Sequence, residues 1–117
     1  MKQFTTKEQT DRLIELGYPK PNSIKSAKMG FFMGTKIPCI EKEFAYSIGE
    51  LMEILFEWYY KRKKIYPEDP VIFYSVGFYP NEFAVLIFED ADEDVHDPEL
   101  IDALYKALIK LKEEKLI

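Results

Sequence analysis

The chain has 117 residues, 47% apolar and 15% aromatic, an ordinary globular composition well away from the disordered class. That length suffices for one domain over 1–117 that folds without metal, and a single cysteine, Cys39, excludes an intramolecular disulfide. Residues 1–64 carry 12 Lys and Arg against 8 Asp and Glu, and residues 65–117 carry 4 against 13, so the net −5 is unevenly spread and disfavours nucleic acid as the ligand of the whole chain.

The polar N-terminus, Met1-Lys2-Gln3-Phe4-Thr5-Thr6, has no apolar signal region, and no apolar run reaches the roughly 18–20 residues of a membrane helix. A cytoplasmic protein with no membrane contact is expected.

Thr5 with Glu8, and Thr6 with Gln9, have the spacing of a capping box, in which side chains satisfy the free backbone donors of a helix start. The spacing predicts a helix from about Thr6 to Leu16, with Leu13, Ile14 and Leu16 inward, stopped by Gly17 and Pro19. Residues 18–28 contain two prolines and read as a loop. Residues 29–46 read as one or two short strands, with Pro38 pointing to an edge or an irregular stretch.

Ser47 and Glu50 repeat the capping box before a periodic series. Ile48, Leu51, Met52, Leu55, Phe56 and Tyr59 predict one broad apolar helix face, and Lys61, Arg62, Lys63 and Lys64 complement the negative helix end. Val71–Phe78 and Phe83–Phe88, joined by Tyr79-Pro80-Asn81-Glu82, predict a β-hairpin covered in part on both faces, with a bulge at Gly77. Asp97 as cap and Pro98 at the first helical position open a last helix. Its core stripe is Leu100, Ile101, Leu104, Leu108 and Leu111, with Ala103 and Ala107 for close approach. The whole reads as an α+β domain, a small antiparallel sheet with about three helices packed on it.

Candidate chemistry is thin. Asp90, Asp92 and Asp94 alternate as a hard-cation site would need. A calcium loop counted from Asp90, however, has Val95 and Ile101 where Gly and Glu are required. His96 has no nucleophile near it in sequence and reads as a surface loop residue, and Cys39 beside Pro38 reads as a buried, inert thiol. Phosphate loops, C-x-x-C and H-E-x-x-H are absent, so neither cofactor nor enzyme class is indicated. Trp58, Tyr60 and Tyr79 are aromatics not all claimed by a core, and are candidates to meet an unknown protein partner. Alternatively, Lys61, Arg62, Lys63 and Lys64 with Trp58 or Tyr60 grip nucleic acid, extended by Lys20, Lys25 and Lys28 into a positive face.

Three segments carry a resemblance: Phe4-Thr5-Thr6-Lys7-Glu8-Gln9-Thr10 running into Leu13-Ile14-Glu15-Leu16-Gly17, Tyr46-Ser47-Ile48-Gly49-Glu50-Leu51, and Leu100-Ile101-Asp102-Ala103-Leu104-Tyr105 with Leu111-Lys112-Glu113-Glu114. Together they resemble an uncharacterised group of short proteins from gut bacteria and their phages or mobile elements. The resemblance covers about a third of the chain and implies a small accessory protein. It implies no site residue, and the basic tetrad lies outside it. A non-enzymatic accessory or interaction domain, of phage or mobile-element origin, is the expected function.

Overall fold

The computed structural model describes residues 1–68, 72–88 and 95–113, without the side chains of 72–75, 78–79 and 87–88. Along it lie α1 (Lys7–Glu15), β1 (Ser23–Phe31), a 3-10 turn (Phe32–Gly34), β2 (Pro38–Ala45), α2 (Ile48–Ile65), β3 (Ile72–Tyr79), β4 (Glu82–Phe88), β5 (Val95–Asp97) and α3 (Leu100–Glu113). Two antiparallel sheets form, β1-β2 and β3-β4-β5, and with the three helices they make an α+β fold.

α3 is the hub. Leu100, Ile101, Ala103, Leu104, Ala107, Leu108 and Leu111 are all buried, as their spacing predicts, and the helix packs on β4, β5, α2 and α1. Small Ala103 and Ala107 let neighbouring backbones approach. In β4 the successive residues Ala84 and Val85 are both buried, so this strand is covered on both faces.

α1 starts as expected: Thr6 Oγ1 accepts from Gln9 N–H while the Gln9 side chain accepts from Thr6 N–H. It ends at Gly17, whose φ of +92° lies in the left-handed region that favours glycine. Gly17 N–H bonds Ile14 O and Tyr18 N–H bonds Leu13 O, which satisfies two terminal carbonyls.

The N-terminal segment is tied to the start of α2 by a buried hydroxyl chain. Tyr46 N–H donates to Thr5 Oγ1 at 3.0 Å, Thr5 and Thr10 share a 2.7 Å bond, and Thr10 donates to Thr6 O at 2.8 Å. Because the last link and the first fix their donors, the Thr5 hydroxyl donates to Thr10. Tyr46 completes the corner through its own hydroxyl, which donates to Pro19 O at 2.5 Å; burial, then the nearby Glu50 charge, push its phenol up to about 12.

Glu50 is the clamp between α2 and the β1-β2 hairpin. It closes the α2 capping box with Ser47, and its carboxylate also accepts from Asn22 N–H at 2.9 Å and Ser23 N–H at 3.1 Å, where β1 begins. Burial opposes its ionised form, yet the hydrogen bonds from Asn22, Ser23 and Ser47 outweigh that and lower its pKa from 4.5. A lowered folded pKa gives stability that is full above the unfolded value and disappears as pH falls through the folded one. Glu50→Gln, which cannot keep all these bonds, is expected to lose about 1–2 kcal/mol in urea unfolding at neutral pH. The gap to wild type should close as acid protonates Glu50. An undiminished gap at acid pH would refute this role.

Several expectations are corrected. Residues 23–28, read as loop, belong to β1. On α2 the buried stripe is Leu51, Leu55 and Trp58, while Phe56 is exposed; the core face is rotated toward Trp58 by the i, i+4, i+7 alignment. The bulge in β3 falls between Ile72 and Ser75 and Gly77 pairs regularly with Ala84. Asp97 ends β5, and its carboxylate accepts from Glu99 N–H, so α3 starts two residues later than its Asp-Pro signal indicates. His96 lies in β5 and its Nδ1 is 3.1 Å from Glu82 Oε1, so it is exposed as expected but on a strand.

Candidate interaction surface

The β1-β2 hairpin stands away from the rest. Its strands pack on each other and on no other element to a comparable degree. The Cα radius of gyration is 17.1 Å, against about 13 Å for a compact chain of this length, and the long axis is 60 Å against 35 and 19 Å. The hairpin is an arm, about 30 Å long at the usual rise per strand residue.

Register sorts its side chains. Directly paired residues share a face, and faces alternate along each strand. Ile24↔Phe44, Ala27↔Lys42, Met29↔Ile40 and Phe31↔Pro38 lie on one face. Ser26↔Glu43, Lys28↔Glu41 and Gly30↔Cys39 lie on the other. Two contacts on the polar face agree: Ser26 Oγ donates to Glu43 at 3.2 Å, and Lys28 Nζ is 3.5 Å from Glu41. Lys25 is the extra residue of a bulge between Ile24 and Ser26, and it brings Ile24 into phase with Ala27, Met29 and Phe31. Its amine donates to Thr5 O at the root of the arm.

The apolar face is uncovered. Ile24, Met29, Phe31, Ile40 and Phe44 on it are all exposed, Met29 by 74%. The tip adds Phe32, Met33 and Ile37, with Met33 at 85%. These residues expose on the order of 1,000 Å² at about 200 Å² per large side chain, well above the few hundred of an ordinary surface patch. The tip is closed by Phe32 N–H to Ile37 O at 2.9 Å, and it holds Met33 at φ 42°, ψ 46°. A methionine in that left-handed conformation costs about 1–2 kcal/mol, so the turn holds an exposed apolar side chain against backbone preference. Lys42 is the charged residue of the apolar face, set between Ile40 and Phe44.

The residues singled out by sequence are scattered. Trp58 is 5% exposed and belongs to the core; what surface it keeps borders a cavity. Tyr60 is exposed and its ring packs at a tilt of 59° against that of Phe56, centroids 4.5 Å apart. The side chain of Tyr79, and Asp90, Asp92 and Asp94 entirely, lie outside the described residues, among which no group of acidic, His and Cys side chains is placed to hold a metal. Lys61, Arg62, Lys63 and Lys64 advance by about 100° each and so encircle the helix instead of forming one face. Lys25 and Lys28 are engaged on the arm, with Thr5 and Glu41. Cys39 is half-buried on the polar face of the arm, where the sequence placed a buried thiol. Among the described residues no helix is long and apolar enough to cross a membrane.

Sequence reasoning missed the arm. Its one local signal was the placement of Phe31, Phe32 and Met33 between Gly30 and Gly34, since turns are ordinarily polar.

No family model matches the chain, and neither a curated protein nor a solved structure matches it.

Proposed function

We propose that the chain is a non-enzymatic interaction domain that docks on a protein partner through the apolar face of its β1-β2 arm. The observation that carries this reading is an amphipathic two-stranded sheet with its apolar face open. An isolated hairpin is at best marginally stable in water, and covering that face supplies the missing stability.

Chemistry narrows the partner. Both long edges of the arm present backbone N–H and C=O groups, which hydrocarbon cannot satisfy but a protein strand can. Protein suits the arm better than lipid. Residues 23–45 hold four lysines and two glutamates, so the arm is +2 while the remainder of the −5 chain is −7. Two copies packed face to face across a two-fold axis perpendicular to the strands at the arm's centre would set Lys42 against Lys42. The fitting partner is therefore a different chain with an apolar surface and a carboxylate opposite Lys42.

The test is affinity capture from host lysate, with and without nuclease treatment, by wild type, Lys42→Glu and the triple variant Met29→Ser/Ile40→Ser/Phe44→Ser. Proteins held by wild type and lost with both variants support the reading. Retention by the triple variant refutes it, and so does dependence of the catch on intact nucleic acid.

A further inference from the structure

A cavity of about 380 Å³ lies away from the arm, where the second half of α2 passes the α1–β1 connection and the end of α3. Ile54, Trp58 and Ile65 form one wall and Tyr18 and Pro19 the other, so its lining is chiefly apolar and aromatic. Its volume falls in the lower range of small-molecule sites and suits a ligand with one ring.

Three cations border this space, Lys61, Arg62 and Lys112, against one carboxylate, Glu57. Two are placed over aromatic rings. The Arg62 guanidinium carbon sits 4.7 Å from the Tyr66 ring centroid, and Lys112 Nζ sits 5.1 Å from that of Tyr18. Such stacking holds a cation at an apolar wall while leaving it its charge. Tyr18 is itself fixed, since its hydroxyl donates to Leu108 O at 2.5 Å in the core.

We infer that this cavity binds a small aromatic carboxylate, its ring against Trp58 and Ile54 and its charge at the Lys61–Lys112 rim. An apolar pocket alone would take a neutral ring equally well; a rim with an excess of positive charge selects the anion. The cavity needs neither the arm nor its partner, so this inference is independent of the docking function.

Trp58 is the chain's single tryptophan, so its fluorescence reports on the cavity. The probes are 4-phenylbutyrate and its neutral counterpart 4-phenylbutan-1-ol. The acid should shift Trp58 emission saturably and bind at least about tenfold more tightly than the alcohol, the effect of one charge-assisted contact. Lys61→Gln/Lys112→Gln should bring that ratio below about threefold, with Lys61→Gln alone, an exposed position, between the two. The Met29→Ser/Ile40→Ser/Phe44→Ser arm variant should bind as wild type does. The inference is overturned by an absence of saturable change, by equal affinity for acid and alcohol, or by a ratio that ignores both lysine variants.

Discussion

Leu104→Ala will lower the free energy of unfolding by about 3 kcal/mol, which for a domain of this size moves the thermal midpoint down by roughly 12 °C. Leu104 is wholly buried at the centre of α3, and truncating it leaves a cavity among the other α3 leucines and the elements packed on them. Phe56→Ala is the paired control. Phe56 is a larger side chain, yet half of it faces solvent, so its removal, ring contact with Tyr60 included, should cost no more than about 1.5 kcal/mol, half the Leu104 loss. Thermal or urea unfolding of both variants decides the matter. Equal losses would mean that the α2 core face includes Phe56, as its periodicity alone suggests.

The second large effect is on association. Met29→Ser/Ile40→Ser/Phe44→Ser removes three large side chains from the apolar face of the arm. It should weaken partner binding at least 100-fold, because interface energy concentrates in a few central apolar anchors. The same variant should leave the thermal midpoint of the helical body within a few degrees of wild type. The core of the body contains none of the three residues, and the arm is joined to it at its root through Glu50, Lys25 and the Tyr46 corner. A collapse of the body on making this change would show that the face is structural cover and not a docking surface.

The helices were legible because each carries local chemistry. Thr6 with Gln9, Ser47 with Glu50, and Gly17 before Pro19 act within a few residues of themselves, and the α3 stripe repeats over a helix long enough for the period to show. β1 and β2 were poorly legible because three features break their alternation. Lys25 is a bulge residue that shifts the phase, Lys42 occupies an apolar-face position, and Pro38 begins its strand. Pro38 did point correctly to an edge, since both strands of a two-stranded sheet are edges.

The candidate surface was illegible for another reason. Met29, Phe31, Met33 and Ile40 are the residue types of a core, and nothing local distinguishes a buried methionine from an exposed one. The hairpin's distance from α3 makes the difference, and that is a property of the whole chain. The cavity is similar: Tyr18, Trp58 and Lys112 converge from three elements, and only the basic tetrad hinted at the positive rim.

The most direct test of the arm is photo-crosslinking from each of its faces. A benzophenone amino acid is placed at position 29 or 40 on the apolar face, or at position 28 or 41 on the polar face, and each protein is irradiated in host lysate after nuclease treatment. Docking through the apolar face predicts a discrete protein adduct from 29 and 40, absent from 28 and 41, and removed from 40 by Lys42→Glu. Equal adducts from both faces, or none from positions 29 and 40, would contradict it.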